Sequence, residues 1–232
     1  MPASLRPAAL ALALALGACA QEDAPAAQAP APQQSWPPGT VLAVEDLPIL
    51  AEEVDRATVI VQRIERRAVD AQLRRLALTN VVLPRALTRL LAGERRDAAL
   101  AEAQAALERL RSGTWVGPTA DGLYGEARGG NFHRLGLELW AAGTDLPEGA
   151  WSEPLEQDGS FHLVRRVALR PSPVPLGVEV DLDVLAFPFT DPLSRAHELE
   201  AAYDRYRLTV VDPAWRELVP ELLLYRMGAQ SP

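Results

Sequence analysis

The stretch EGAWSEPLEQDGSFHLVRRV, residues 148–167, decides the fold of the second half of the chain. It reads as a turn, a proline, a second turn and then a strand that carries His162 near its start. Side chains alternate along a strand, so Phe161 and Leu163 lie on one face and His162 and Val164 on the other. Because both faces carry apolar residues, this strand is predicted to lie in the middle of a sheet.

A second strand is predicted at residues 178–187, VEVDLDVLAF, where apolar and acidic residues alternate. Its acidic face should reach water or a partner. The first strand covers residues 160–167. The connection that follows it, residues 168–177, contains three prolines and has no helical pattern, which excludes a tight hairpin and a helical crossover. We therefore predict antiparallel neighbours joined by a wide loop. Asp181 or Asp183 would then lie close enough to His162 to favour its protonated form.

The first half of the chain has a helical pattern after a short predicted strand at residues 41–44. Apolar residues recur at spacings of three and four from Val54 to Ala71, as on one face of a helix, and Pro84 interrupts the pattern. Gly93 and the pair Ser112-Gly113 are typical helix ends. Two further helices are predicted at residues 84–92 and 94–110.

Glycines are dense in residues 113–130, which predicts loop or irregular structure there. The other predicted elements are helices at 135–142, 194–206 and 215–227 and a short strand at 207–211. The fold class is therefore α+β: an N-terminal helical array, a small antiparallel or mixed sheet, and a closing helix at the C-terminus.

The N-terminus resembles a bacterial lipoprotein signal peptide. Arg6 precedes the run AALALALALGA, which is too short to span a bilayer, and LGAC at residues 16–19 resembles a lipobox. The resemblance implies cleavage after residue 18 and acylation of Cys19, the only cysteine in the chain. Ala20 follows where an inner-membrane retention signal would have aspartate, so we expect an anchor on the periplasmic face of the outer membrane. The alternative is an ordinary signal peptide that leaves a free thiol.

Five regions follow from these features. Residues 19–40 are rich in Pro, Ala and Gln and are predicted to form a disordered tether. The regions are a signal peptide (1–18), the tether (19–40), a helical region (41–112), a segment around the opening stretch (113–170) and a C-terminal region that packs on the rest (171–232).

Charge and motifs exclude several classes of protein. The chain has 23 basic residues, all arginine, against 31 acidic ones, and a formal charge of −8, which argues against a nucleic-acid partner. It has no glycine-rich phosphate loop, nucleophile elbow or zincin motif, so no cofactor is expected. A metal site built from His133, His162 and His197 is also not expected.

The opening stretch resembles the C-terminal end of a parvulin-type peptidyl-prolyl isomerase domain. The family pattern is Gly-x-x-hydroxyl-x-Pro, a turn, and Gly-aromatic-His-apolar-apolar. Ser160 is one extra residue after the second glycine. The matching residues are Gly149, Ser152, Pro154, Gly159, Phe161, His162, Leu163 and Val164.

Two other segments resemble parts of secreted parvulin foldases of the SurA and PrsA type. VLAVEDLPILAEEVDR resembles the entry of their N-terminal helical region, and AAYDRYRLTVVDPAW resembles their closing helix and strand. The chain departs from the family at the front of the domain. Parvulin domains open with a strand whose histidine faces the second histidine. Here the only good candidate for that strand is residues 178–187, with Asp183 at the corresponding place.

The resemblance implies a catalytic role for His162 and a substrate-binding role for Phe161, Trp140 and Leu146. Prolyl isomerisation crosses a barrier of about 18–20 kcal/mol, which a pocket lowers by gripping the proline between apolar walls and placing a polar group against the twisting amide. Phe161 and His162 point to opposite faces of their strand, so only one of them can face a given pocket. The alternative for His162 is a structural residue of the core.

Two functional hypotheses follow. The first is a lipid-anchored envelope foldase with isomerase activity toward unfolded secreted proteins. The second is a non-catalytic, chaperone-like or assembly-binding lipoprotein, in which the helical array and a parvulin-like scaffold form an apolar cradle for extended chains. A lipoprotein with an unrelated structural role remains a third alternative.

Overall fold

A computed structural model describes residues 35–114, 123–171 and 178–229. The expectations for Cys19 and for residues 19–34 of the tether fall outside these residues, whereas residues 35–40 are described and Thr40 begins a buried strand. The described chain is α+β, as predicted, and belongs to one compact unit, Trp36–Pro232. None of the helices in the described ranges has the length and apolar character needed to cross a membrane.

Seven strands and eight α-helices make up the described residues. The strands are β1 (Thr40–Val44), β2 (Leu47–Leu50), β3 (Leu123–Gly130), β4 (Leu155–Gln157), β5 (Ser160–Pro171), β6 (Val178–Pro188) and β7 (Leu208–Val210). The helices are α1 (Ala51–Gln62), α2 (Asp70–Ala77), α3 (Leu83–Ala92), α4 (Glu94–Arg111), α5 (Phe132–Leu135), α6 (Leu137–Asp145), α7 (Arg195–Arg205) and α8 (Glu221–Arg226).

The smaller sheet has the strand order β2-β1-β7 and is antiparallel throughout. The strand predicted at residues 41–44 is confirmed as β1, and it is fully buried because it is the middle strand. Residues 47–50, for which no strand was predicted, form β2. The helices α1–α3 and the C-terminal elements pack on this sheet and share one apolar core with it.

The first predicted helix ends earlier than its apolar pattern does. Val54 and Val61 are buried in α1 as expected, but the chain leaves the helix at Arg63. The Arg63 guanidinium pairs with Asp145 at 2.7 Å, at the end of α6. This long-range contact accompanies a turn that separates α1 from α2, which the local pattern did not predict.

Pro84 does not break the helical path. A π-helical segment, Leu78–Val82, joins α2 to α3, and Pro84 lies in the first turn of α3. The Leu83 amide donates to the Leu78 carbonyl, five residues back. Proline has no amide hydrogen, so it is tolerated in a first turn. The two helices predicted after Pro84 are confirmed as α3 and α4.

The larger sheet has the order β3-β6-β5-β4, and all its strands are antiparallel. Strand β5 is interior, as predicted, and β6 is its antiparallel neighbour, as predicted. The wide loop was predicted for residues 168–177, but residues 168–171 continue β5, and the remaining residues lie outside the described ranges. Helix α4 packs on one face of this sheet and α6 on the other. We call these the α4 face and the α6 face.

The irregular structure expected for residues 113–130 is wrong for β3. Glycine disfavours strands, and most of β3 is exposed, so the local sequence predicts no strand there. Pairing with β6 from Leu123 to Gly130 overrides that preference. Gly130 is required because a Cβ there would lie 2.6 Å from the Leu135 side chain.

A two-residue turn connects β4 to β5. Asp158 and Gly159 have φ values of 54° and 73°, the combination that a type I′ hairpin turn needs. Gly159 also cannot carry a side chain, since its Cβ would lie 1.9 Å from the Thr190 hydroxyl. This pair of residues therefore sets the register of the hairpin.

The C-terminal region follows the prediction except at its end. The helix predicted at 194–206 and the strand at 207–211 are confirmed as α7 and β7. The closing helix consists of two pieces, a 3₁₀ segment Pro213–Leu218 and α8, separated at Pro220.

Candidate functional site

His162 lies on the α6 face of β5, paired with Leu155 of β4 and Ala186 of β6. Its side chain is half-buried. Burial lowers the pKa of His162, and the attraction of Asp158 and the contact with the Leu155 backbone do not offset that effect. The ring is therefore neutral at neutral pH. Its Nδ1 atom is buried, and no described residue forms a hydrogen bond with it.

The predicted pair between His162 and an aspartate of β6 is wrong. Asp183 pairs in register with Arg165, three residues from His162, which places the aspartate on the α4 face and about 10 Å away along the strand. Pairing of the two strands alone does not bring these side chains together, because their distance also depends on the register. A shift of three residues changes the face because side chains alternate.

The acidic face of β6 meets arginines rather than water. Asp183 is 3% exposed, and its two oxygens accept hydrogen bonds from Arg128 and Arg165, each at 3.0 Å. Burial alone would raise the pKa of Asp183, but these hydrogen bonds outweigh it and lower the pKa. Asp181 is paired with Arg170 and accepts a bond from the Gly129 amide at 2.7 Å.

The three proposed substrate-binding residues are divided between the two faces. Trp140 is buried in α6, where its Nε1 donates to the Val178 carbonyl at 3.0 Å, and Leu146 packs at the end of the same helix. Phe161 is buried on the α4 face, with its ring 5.3 Å from that of Phe189. These residues therefore do not share one pocket with His162, since Phe161 lies behind the sheet.

Ser152 has a structural function that the sequence pattern did not indicate. It is buried, its hydroxyl accepts from the Val164 amide at 3.0 Å, and its own amide donates to the Val164 carbonyl at 2.8 Å. The Gly149 amide donates to the Arg166 carbonyl in the same way. Residues 149–152 are thus held by hydrogen bonds along β5, beyond the end of β4.

A groove lies between the helical array and the α5–α6 region. It consists of two adjoining cavities that share Asn80, Val81 and Leu137. The apolar cavity has a volume of about 190 Å³, and the polar cavity about 250 Å³. The other residues of the apolar cavity are Val61, Ile64, Glu65, Leu76 and Phe132. The polar cavity includes Arg85, Glu138, Glu156, Gln157, Asp158 and Arg195.

The two walls of the groove come from distant parts of the chain. The π-helical segment supplies Asn80 and Val81, and such segments are common at functional sites. The opposite wall begins at Leu137, in the first turn of α6. Gln157 fixes that turn: its side-chain oxygen accepts from the Glu138 and Leu139 amides at 3.0 and 3.3 Å.

An ion-pair network lies at the base of the polar cavity. Glu156 of β4 accepts hydrogen bonds from Arg89 of α3 and Arg96 of α4, each as short as 2.9 Å. Arg89 also pairs with Glu53 of α1 at 3.0 Å, and Arg85 pairs with Glu138. Burial alone would raise the pKa of Glu156, but hydrogen bonds from Arg96 and Arg89 outweigh it and lower the pKa.

These ion pairs join the walls of the groove. The six side chains of the network are between 11% and 24% exposed, so their charges are little screened by water. They connect three helices of the array with α6 and β4. The network therefore fixes the width of the groove at its polar end.

The other two histidines lie on other elements, His133 on α5 and His197 on α7. Across the described residues, no group of three or more His, Cys, Asp and Glu side chains is arranged to hold a metal ion.

Comparisons of the chain with protein-family models, with curated proteins and with solved structures found no match.

Proposed function

We propose that this protein is a lipid-anchored, chaperone-like factor of the bacterial envelope that binds extended segments of unfolded secreted proteins. The groove between the helical array and the α5–α6 region is the binding site in this proposal. The observation that carries it is the pairing of an apolar and a polar cavity that adjoin at three shared lining residues. The parvulin-like segment acts as the scaffold for one wall.

The dimensions and the lining of the groove suit a short stretch of polypeptide. Each cavity is smaller than the roughly 300–1,000 Å³ of a typical small-molecule site. The apolar cavity can take a client side chain, whose removal from water is favourable. The polar cavity offers Asn80 and the charged side chains around it to the client's backbone amides.

Catalysis is the weaker alternative because His162 and Asp183 do not form the polar pair that isomerisation would use. Asp183 is bound to two arginines on the α4 face. His162 is neutral, because the attraction of Asp158 does not offset the effect of burial on its pKa. A peptidyl-prolyl isomerase of parvulin type nevertheless remains the second candidate. The unpaired Nδ1 of His162, on the same face as Trp140 and Leu146, is the observation that favours it.

Attachment to the membrane is part of the proposal and rests on the resemblance of residues 16–19 to a lipobox. Acylation of Cys19 would hold the protein at the periplasmic face of the outer membrane. A chain in the extended state covers about 3.1 Å per residue, so a tether of residues 19–40 would let the groove reach clients several nanometres from the bilayer.

Two assays on the same protein test this proposal. In the first, light scattering follows the aggregation of an unfolded client. The wild type should suppress it, Asn80→Trp should lose most of the suppression by filling the groove, and Gln104→Trp, on the exposed side of α4, should retain it. In the second, a proline-limited refolding reaction should not accelerate.

Suppression by Asn80→Trp equal to that of the wild type would exclude the groove as the binding site. Acceleration of refolding that is lost in His162→Ala would instead support the isomerase.

A further inference from the structure

The acidic side chains that line the groove differ in whether they form an ion pair. Glu138 and Glu156 belong to the ion-pair network, and Asp158 pairs with Arg195 at 2.7 Å. Glu65 differs from these. It lines the apolar cavity, its side chain is exposed, and no described side chain pairs with it.

The end of α1 does not stabilise the negative charge of the Glu65 carboxylate. Its amide donates to the Val61 carbonyl at 2.9 Å, in the turn that follows the last residue of α1. The C-terminal end of a helix carries a partial negative charge, which disfavours an acidic side chain there. Arg66 and Arg67 follow in the chain but are not part of the groove lining. Glu65 is therefore a carboxylate at the rim of an apolar cavity that forms no ion pair with another described side chain.

We propose that Glu65 makes the groove selective for client segments in which a basic residue neighbours an apolar one. The apolar side chain occupies the cavity formed by Ile64, Leu76 and Phe132, and the guanidinium or ammonium group pairs with the Glu65 carboxylate. This inference rests on the proposed function and names the chemistry of the client that the groove prefers.

The selectivity is short-ranged and moderate. Arg66 and Arg67 offset the field of Glu65 at a distance, so direct contact and not long-range attraction distinguishes the clients. An exposed ion pair stabilises a complex modestly, which corresponds to a preference of roughly two- to five-fold. Salt should reduce this preference because the pair is open to solvent.

The test uses the full-length protein in mild detergent and three labelled, unstructured peptides that differ at one position. The peptides carry Leu-Arg, Leu-Gln or Leu-Glu in the same flexible sequence, and fluorescence anisotropy measures their affinities. The Leu-Arg peptide should bind about two- to five-fold more tightly than Leu-Gln. Glu65→Gln should abolish this difference, and Glu65→Arg should reverse it in favour of Leu-Glu. Glu217→Gln, an exposed carboxylate outside the groove lining, should leave it unchanged.

The outcomes separate this inference from the proposed function. Equal binding of the three peptides would overturn the role of Glu65 and leave polypeptide binding intact. A preference for Leu-Arg that persists in Glu65→Gln would overturn it as well. If none of the peptides binds, both the inference and the proposed function fail.

Discussion

The two faces of the larger sheet differ in what covers them. On the α4 face, a long helix covers Leu163 and Leu185, and beyond it the buried Asp181 and Asp183 are paired with arginines. On the α6 face, a shorter helix covers Val164 and Leu182 and presents its own first turn to the groove. The buried aspartates of the α4 face are thus held in ion pairs, and the α6 face borders the proposed binding groove.

The largest effects should come from removing core side chains, and the two faces should respond differently. Leu163 and Leu182 are both fully buried, so Leu163→Ala and Leu182→Ala should each lower the free energy of unfolding by about 2–5 kcal/mol. Only Leu182→Ala should also weaken client binding, because Leu182 packs against α6, the wall of the groove. Urea unfolding and peptide titration at low temperature measure the two quantities. Equal loss of binding in both variants would contradict the distinction between the faces.

The next effect concerns the paired aspartate of the α4 face. Asp183→Ala removes the buried carboxylate that Arg128 and Arg165 share and should cost about 1–3 kcal/mol, a value reduced from that of a fully buried pair because both arginines are about 40% exposed and Arg128 keeps its pair with Glu126. Asp55→Asn, at an exposed pair, should cost less than about 0.5 kcal/mol. Urea unfolding at pH 7 compares them.

The same aspartate gives a pH dependence with a defined sign. The pKa of Asp183 is lowered in the folded protein, so its contribution is present above the ordinary aspartate pKa of about 4 and is lost as the pH falls through the folded value. The difference in stability between wild type and Asp183→Ala should therefore shrink below about pH 4. A difference that grows on acidification would contradict this account.

A smaller effect is expected where the α6 face meets the groove. Gln157→Ala removes the side chain that caps the first turn of α6 and should cost about 1 kcal/mol. Client binding should weaken as well, since that turn forms the groove wall. Thermal unfolding and peptide titration should show both changes, and Gln104→Ala, at an exposed position of α4, should show neither.

The smallest effect is expected at His162. Its pKa is lowered by burial, so the unfolded chain takes up a proton before the folded chain does, and stability falls as the pH drops below about 6.5. His162→Phe should match the wild type at pH 7.5 within about 1 kcal/mol and lose less stability at pH 5.5. Guanidinium unfolding at the two pH values tests this. A wild type that gains stability on acidification would show a charged His162 in the folded state.

Periodicity predicted the elements whose local pattern agrees with their surroundings. Strand β6 alternates apolar and acidic residues, and β5 is apolar on both faces, so their pairing followed from the sequence. Strand β3 escaped prediction because it is glycine-rich and exposed, and only its ladder with β6 makes it a strand. The early end of α1 escaped for a similar reason, since Arg63 contacts a helix far along the chain.

The site was less predictable than the fold because it depends on register and on long-range assembly. His162 and Asp183 were each located on the right strand, yet the register places them on opposite faces. The groove combines the end of α1, the π-helical segment and the start of α6, and no local pattern brings these together. The unpaired Glu65 could have been noticed in the sequence only as an acidic residue after a helix, which has many structural explanations.

The central claim is that extended clients bind in the groove, and site-specific crosslinking tests it most directly. A diazirine analogue of leucine replaces Leu76 in the apolar cavity or, as a matched control, Leu222, an exposed leucine of α8. After irradiation with an unfolded client, mass spectrometry identifies the adducts. We predict adducts from position 76 that a competing unlabelled peptide removes, and none from position 222. Adducts at position 222 without any at position 76 would contradict the account.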